Sequence, residues 1–206
     1  MVEIGVELSL TRGQYEWAMN GQWESLKRFY KDHVSELFWP MTTKYDTVLH
    51  VAGLAGRKDV LDLLIPLLED RDTLIMENNR GNTPLHEVAA SGNLDAAKLF
   101  VESRYAIPAY GEIKNHLGET PLYRAASFGH TNLVQYLATQ VRDDTEQQHF
   151  QRDDQVSILH IAVLGQHFGL RNDDNIDRDP ANQNDDLESG FNHPSQSTFS
   201  NKIMSN

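Results

Sequence analysis

Short apolar stripes at helical spacing recur along most of the chain, and turn residues separate them. In one of them, Thr83-Pro84-Leu85-His86 is followed by Ala89 one helical turn later, and Gly92 comes next. A threonine hydroxyl can cap a helix start, and proline is already in helical geometry at the first helical position. Glycine then allows the left-handed residue that ends a helix. A second stripe (Leu94, Ala97 and Val101) predicts a second short helix, so the unit is a helical hairpin.

The same hairpin pattern repeats at a nearly constant period. The leading leucine of each unit recurs in steps of 36, 37 and 37 residues, at Leu49, Leu85, Leu122 and Leu159. A more degenerate unit, residues 14–30 around Gly21, precedes them and suits an atypical capping repeat. Since one hairpin cannot bury its apolar face alone, neighbouring hairpins must stack. The predicted fold is an all-α solenoid of stacked helix-turn-helix units with short turn loops.

The repeats also define the domain boundaries. We expect an N-terminal extension over residues 1–13, a repeat domain over residues 14–168 with about four repeats and a partial fifth, and a disordered acidic tail over residues 169–206. Residues 171–206 hold seven acidic and three basic side chains and few apolar ones, a composition typical of disorder. A truncated gene product or an alternative transcript is the favoured explanation of this tail, and an acidic interaction segment is the alternative.

The repeated motif resembles the ankyrin repeat, with its Thr-Pro-Leu-His-x-Ala signature and a period near thirty-three residues. Two Thr-Pro-Leu matches in register, at residues 83–85 and 120–122, carry the resemblance. Residues 14–168 are further similar to plant ankyrin proteins that have a C-terminal PGG-type membrane domain. That resemblance implies a cytoplasmic stack in stress, defence or ion-related signalling. The chain departs from the family pattern after Phe168, and the membrane part is not in this sequence.

The composition excludes several classes of function. The 206 residues include 18 Lys and Arg against 30 Asp and Glu, a net charge of −12, and no cysteine. Disulfides, thiolate metal sites and cysteine nucleophiles are therefore excluded. An acidic chain is also a poor partner for nucleic acid, whose binding depends on Lys and Arg. No segment has the roughly 20 apolar residues of a spanning helix, and the N-terminus does not resemble a signal peptide.

The sequence does not match the residue spacing of known catalytic or metal-binding motifs. There is no His-Glu-x-x-His pattern, phosphate loop or nucleophile elbow, and residues 142–146 lack the glycine and closing glutamate of a calcium loop. His50, His86 and His160 recur at one repeat position, which indicates a structural role in joining repeats. We therefore expect no enzyme activity, no cofactor and no metal. A small metal- or acid–base-dependent enzyme is the less favoured alternative.

The ankyrin resemblance implies a binding surface made of turn tips and the solvent side of the first helix of each repeat. The turn residues carried over to it are Lys44, Asp46, Asn79, Arg80, Asn82, His116, Leu117 and Glu119. The first-helix residues are Leu54, Ala90, Ser91, Ser127 and Phe128. Leu117 and Phe128 are apolar where solvent is expected, which suits interface anchors, although local packing between loops would also explain them.

These observations favour a non-catalytic protein-interaction module, related to plant membrane-associated stress or defence signalling proteins. The alternative is a truncated fragment that is non-functional or competes with such a protein. We expect a protein partner, no nucleic acid, and a cytoplasmic location, with peripheral membrane association through a partner as the other possibility.

Two structural expectations can be checked directly. Pro66 lies in the second helix of the second repeat, where it lacks a donor and crowds the carbonyl of Asp62, so that helix should end or kink near Ile65. The fifth unit has a first helix but no convincing second one. Its residues Leu159, Ala162 and Val163 should pack back on the fourth repeat and leave an uncapped apolar edge.

Overall fold

The computed structural model describes residues 13–68, 72–103, 111–140 and 150–164, with side chains in the last range described through Ile161. Over these residues the regular structure is helical, apart from one isolated bridge between Gln151 and Ser157. The helices are α1 (residues 13–19), α2 (Trp23–Asp32), α3 (Val48–Leu54), α4 (Lys58–Leu64), α5 (Asp72–Ile75), α6 (Pro84–Ser91), α7 (Leu94–Val101), α8 (Pro121–Ser127), α9 (Thr131–Ala138) and α10 (Ile158–Leu164).

The helices form consecutive hairpins that stack in chain order. The pairs are α1 with α2, α3 with α4, α6 with α7 and α8 with α9, and α10 begins a fifth unit. The first helices α3, α6, α8 and α10 pack each on the next, and the second helices α2, α4, α7 and α9 form a parallel row. The predicted all-α solenoid of stacked helix-turn-helix units is therefore confirmed.

The core of the stack consists of the residues that the repeat pattern singled out. Leu49 and Leu85 are fully buried and Leu122 nearly so. Burying a leucine side chain contributes about 2 kcal/mol, so each repeat is held mainly by such contacts with its neighbours. Ala89 and Ala126 are fully buried on α6 and α8, which pack directly on each other, where a small side chain permits close approach.

The predicted helix ends are also observed. Gly92 and Gly129 have φ angles of 76° and 74°, the left-handed conformation expected after a first helix. At the start of α8, Thr120 Oγ1 accepts a hydrogen bond of 3.2 Å from the Tyr123 N–H. Thr83 stands at the N-cap of α6 and forms a capping box with His86.

Pro66 interrupts the second helix of the second repeat as predicted. The α-helix α4 ends at Leu64, and a single 3-10 turn over Ile65–Leu67 follows it. The equivalent helices α7 and α9 have eight residues each, against seven in α4. The missing donor and the bulk of the proline ring account for the early end of α4.

The prediction for the fifth unit is wrong for Leu159. Ile158 is buried, and α10 packs on α8, but the Leu159 side chain is 70% exposed. In the earlier repeats the equivalent leucine is covered within a complete hairpin, and the described residues include no second helix after α10. The side chains of Ala162 and Val163, residues 1–12 of the expected N-terminal extension, and the expected tail over residues 169–206 lie outside the described residues.

Candidate partner-binding surface

The second, third and fourth repeats are each preceded by a tight turn. The tips of these turns are closed by the side chain of Thr42, Asn78 or Asn115, which stands at the first position of its turn. Asn78 Oδ1 accepts hydrogen bonds from the backbone N–H groups of Arg80 and Asn82, at 2.9 and 3.1 Å. Asn115 and Thr42 do the same in their own turns, at 3.0 and 3.1 Å. The tips are therefore fixed by local side-chain bonds rather than by a sheet.

Neighbouring tips are joined to each other by backbone hydrogen bonds. The Asn79 N–H donates to the Lys44 carbonyl and the His116 N–H to the Arg80 carbonyl, both at 2.9 Å. Gly81, at a φ of 71°, lies directly against the next tip, since a Cβ there would be 2.7 Å from the His116 backbone nitrogen. The tips thus form a continuous row along the stack, which we call the tip row: residues 43–45, 79–81 and 116–118.

Behind the tip row lies a buried polar network that spans three repeats. Asn78 donates to Asp46 in the preceding turn at 2.8 Å, and Asn115 donates to Asn82 in the same way at 2.8 Å. Glu87 accepts from Asn82 at 2.7 Å. These side chains hold adjacent turns in register, because Asn78 and Asn115 each pair with a polar group of the preceding turn.

Arg124 on α8 forms two buried ion pairs that extend this network. Arg124 lies 3.7 Å from Glu87, its equivalent on the preceding first helix, and 3.4 Å from Glu119 in the adjacent turn. All three side chains are about one-tenth exposed or less. The position held by Glu87 and Arg124 is apolar in the other units, where Val51 and Ile161 stand. The pair is therefore specific to the contact between the third and fourth repeats.

The repeated histidines join each first helix to the following turn. Thr83 donates its backbone N–H to His86 Nδ1 at 3.1 Å, so Nδ1 is unprotonated, and the Nε2–H then donates to the Glu119 carbonyl at 2.9 Å. His50 makes the same two bonds, to Thr47 and to the Asn82 carbonyl. Burial lowers the pKa of His50, and it lowers the pKa of His86 to about 3. Both imidazoles are consequently neutral and structural, as predicted.

Among the residues described, His160 shows only the first of these two bonds. Its Nδ1 bonds with Ser157 at 2.7 Å, but the ring is exposed. In the fourth repeat the position is Tyr123, which is fully buried and whose hydroxyl has no hydrogen-bond partner among the residues described. The link between repeats through an imidazole therefore holds the second repeat to the third and the third to the fourth.

The structure separates the predicted binding residues into three groups. Three of them are buried and unavailable to a partner: Asn82, Ala90 and Glu119. Asn82 and Glu119 serve the network behind the tips, and Ala90 lies inside the stack. The prediction that these three residues belong to an accessible surface is wrong. The repeat register identifies the position of a residue within its repeat, but it does not show which residues the neighbouring repeat covers. The remaining residues are exposed or half-exposed.

The accessible residues occupy the two ends of the first helices. Those at the turn end are Lys44, Asp46, Asn79, Arg80, His116 and Leu117, and those at the far end are Leu54, Ser91, Ser127 and Phe128. Between the two ends the helices α3, α6 and α8 are buried, about 10 Å of helix at 1.5 Å per residue. The tip row therefore offers the more continuous accessible surface.

Leu117 and Phe128, the two proposed anchors, differ in their surroundings. Leu117 is 61% exposed at a turn tip. Phe128 is 37% exposed, and the Arg124 guanidinium lies 5.5 Å from the centre of its ring. The ring also stacks parallel to His130 at 6.2 Å. Local packing thus accounts for part of the Phe128 contacts, whereas Leu117 stands out from the surface.

Three exposed aromatic residues were not predicted. Phe38 and Trp39, 43% and 37% exposed, lie in contact just before the tip of the second repeat, with ring centres 5.1 Å apart. Tyr45 is 62% exposed on that tip and has a φ of 64°, where the next two tips have glycine. Alignment of Tyr45 with Gly81 and Gly118 is the sequence signal that could have located it, since a tyrosine at a left-handed turn position is unusual.

The described residues hold no cluster of three His, Asp or Glu side chains that could bind a metal ion. None of the helices described is long and apolar enough to cross a membrane. A shallow groove of about 380 Å³ lies between the ends of α4 and α7, lined by Ile65, Pro66, Lys98 and Leu99 among others. Its lining mixes aliphatic and charged side chains without convergent catalytic groups.

Comparison with known proteins identifies the repeats. A family model described as ankyrin repeats in three copies matches residues 16–110, and a single ankyrin repeat model matches residues 117–142. The chain is 30% identical to the putative E3 ubiquitin-protein ligase XBAT31 of Arabidopsis thaliana, over 59% of this chain and 28% of that protein. It is 32% identical to the protein fem-1 homolog A-like of Mus musculus, over 44% and 13%.

A third relative is the ankyrin repeat and SOCS box protein 3 of Homo sapiens, 29% identical over 47% of this chain and 18% of that protein. The chain thus spans less than a third of the length of each of these three relatives. The similarity therefore concerns the repeats and not the whole of any relative.

Proposed function

Because the chain is an ankyrin-repeat protein, we propose that it is a non-catalytic protein-binding module and that its partner contacts the tip row. The observation that carries the proposal is the Leu117 side chain, 61% exposed on a turn tip whose backbone is fixed on both sides. A rigid, solvent-exposed apolar residue favours binding, since little conformational entropy is lost when a partner covers it.

The position of the polar network supports the same function. Asn78, Asn82 and Asn115 are buried and hold the turns from behind. The side chains of Arg80 and Leu117 on the tips take no part in this network, so they are available for contact. Repeat proteins commonly bind partners through extended surfaces of this kind.

We further propose that the module acts in signalling like that of the plant ankyrin proteins that it resembles. Support comes from the resemblance of residues 14–168 to those proteins and from the similarity to an Arabidopsis protein. A test is fractionation of plant cells that express the full chain. Recovery with a specific plant membrane or signalling complex, lost in a Leu117→Glu variant, would agree with the proposal.

The binding function is tested by selection with a random peptide display library on the full chain. The selected peptides are then measured against Leu117→Glu and against a control, Gln135→Glu, which adds the same charge at an exposed position of α9. We expect Leu117→Glu to weaken binding by about tenfold or more, as for the loss of an anchor, and the control to leave it unchanged. Equal binding to both variants would contradict the proposal.

A further inference from the structure

We propose that the tip row recognises a protein segment that presents a carboxylate to Arg80 between two apolar side chains, one meeting Tyr45 and the other Leu117. This inference rests on the proposed function, protein binding at the tips, and specifies the chemistry of the partner. It follows from where apolar side chains are exposed, from the surroundings of one guanidinium, and from the spacing of the repeats.

Four of the six large hydrophobic side chains that are exposed among the described residues lie on or beside the tips; the other two are Phe128, just after α8, and Leu159 on α10. The four are Tyr45 and Leu117 on the tips, and Phe38 and Trp39 in the approach to the first of them. The second helices α2, α4, α7 and α9 contribute none. Exposed aromatic and aliphatic side chains grouped on one face are typical of a protein interface.

Arg80 lies on the tip between these two apolar residues. Its backbone is fixed on both sides, because its N–H donates to Asn78 Oδ1 and its carbonyl accepts from His116. Arg80 is half-buried as a residue, and its guanidinium has no hydrogen-bond or ion-pair partner among the described residues. A partner carboxylate would make a charge-assisted, bidentate contact with little loss of entropy at the arginine backbone.

The neighbouring charges single out Arg80 further. At the next tip along, Lys114 pairs with Asp153 at 2.7 Å, and Arg152 pairs with Asp154. On the other side, Asp46 accepts hydrogen bonds from Thr42 and Asn78, both at 2.8 Å. The exposed Glu77 forms no ion pair with Arg80 in the structure. Charge complementarity at the centre of the row therefore calls for an acid from outside.

The repeat spacing limits the form of the segment. Packed helices lie about 8–10 Å apart, so the tips of adjacent repeats are separated by roughly 10 Å. A polyproline-type segment covers about 9 Å in three residues and returns to the same face. An α-helix covers about 10 Å in seven residues, again on one face. A β-strand would need about three residues to pass from one tip to the next. Because its side chains alternate between two faces, the side chain at the middle tip would then point away from the tip row. The acid should thus lie three or seven residues from each apolar neighbour.

The test uses the full chain and a random 20-residue peptide display library, with parallel selections on the wild type and on Arg80→Glu. Peptides selected on the wild type should be enriched in Asp or Glu, with an apolar residue three or seven positions away on each side. Their affinity should fall about tenfold or more on Arg80→Glu, as for a lost charge-assisted contact. Peptides selected on Arg80→Glu should instead carry Lys or Arg at the central position.

The matched control is Arg28→Glu, which makes the same charge change at an exposed position of α2 and should leave binding unchanged. Circular dichroism checks that each variant is folded, and Arg80→Gln serves in place of Arg80→Glu if the latter is not. Peptides that need Leu117 but bind Arg80→Glu equally well would overturn this inference and leave the proposed function standing. Peptides indifferent to both Leu117→Glu and Arg80→Glu would overturn the proposed function itself.

Discussion

His86 shows how one side chain joins two repeats. Its Nδ1 accepts from Thr83 at the start of its own helix, and its Nε2–H donates to the carbonyl of Glu119 in the following turn. Both bonds require a neutral ring, and burial keeps it neutral by lowering its pKa. The sequence could predict this role, because a histidine placed by the repeat period and preceded by threonine has a fixed local geometry.

Thr83→Ala should lower the free energy of unfolding by about 1 kcal/mol, since it removes the cap of α6 and one partner of His86. Chemical denaturation of the full chain measures the change. Thr43→Ala is the matched control, because Thr43 is exposed on a turn tip, and it should be close to neutral. A loss no larger than that of the control would show that Thr83 is not a functional cap.

Lowering the pH should destabilise the chain through His86. Its folded pKa, about 3, lies below the ordinary value of 6.5, so the unfolded state binds the proton more readily. The stability that it contributes is complete above pH 6.5 and declines as the pH falls from there towards 3. Between pH 7.5 and pH 5 we expect a loss of about 2 kcal/mol from this residue.

Denaturation of His86→Gln over the same pH range provides the check on that titration. His86→Gln should show most of this pH-dependent loss of stability removed, because the titrating imidazole is gone. His33→Gln, a change at an exposed histidine, should keep the same pH dependence as the unchanged chain. An unchanged pH dependence in His86→Gln would mean that the imidazole is not held neutral by burial.

At the scale of elements, the sequence predicted the helices well and their surroundings less well. Thr-Pro starts, glycine ends and the Pro66 break depend on local chemistry, and they appear where expected. The burial of Asn82 and Glu119 depends instead on side chains about thirty residues away in the next repeat, as does the pairing of Glu87 with Arg124. A single sequence without the stacking geometry does not specify such contacts.

The pair of Glu87 on α6 and Arg124 on α8 should be strongly coupled. Arg124→Ile leaves two buried carboxylates short of a partner, so we expect a loss of roughly 3 kcal/mol. The second substitution is Glu87→Val, because valine stands at the equivalent Val51. The loss of unfolding free energy in the double variant should be smaller than the sum of the two single losses by at least about 1 kcal/mol. A double-mutant cycle by chemical denaturation measures this coupling, and strictly additive losses would show that the ion pair contributes nothing specific.

At the scale of the whole molecule, the repeats of the stack should differ in local stability. Repeats inside it are covered on both sides, and a terminal unit is held only by one neighbour. In the fifth unit Ile158 is buried, but Leu159 is 70% exposed and the His160 side chain is exposed as well. Cooperative unfolding should therefore begin at this unit.

Amide hydrogen exchange on the full chain tests this order of stability. Amides from 156 to 164 should exchange faster than those from 83 to 101, which belong to an internal repeat. Equal protection of the two segments in dilute monomeric protein would mean that the fifth unit is covered by something other than the contacts seen here.

The central claim is that the tip row is the surface that binds a partner. The most direct measurement is hydrogen exchange of the full chain with and without a peptide selected on the wild type. We expect added protection at residues 43–45, 79–81 and 116–118, with α4, α7 and α9 unchanged. Protection concentrated on those second helices, with the tips unaffected, would contradict it.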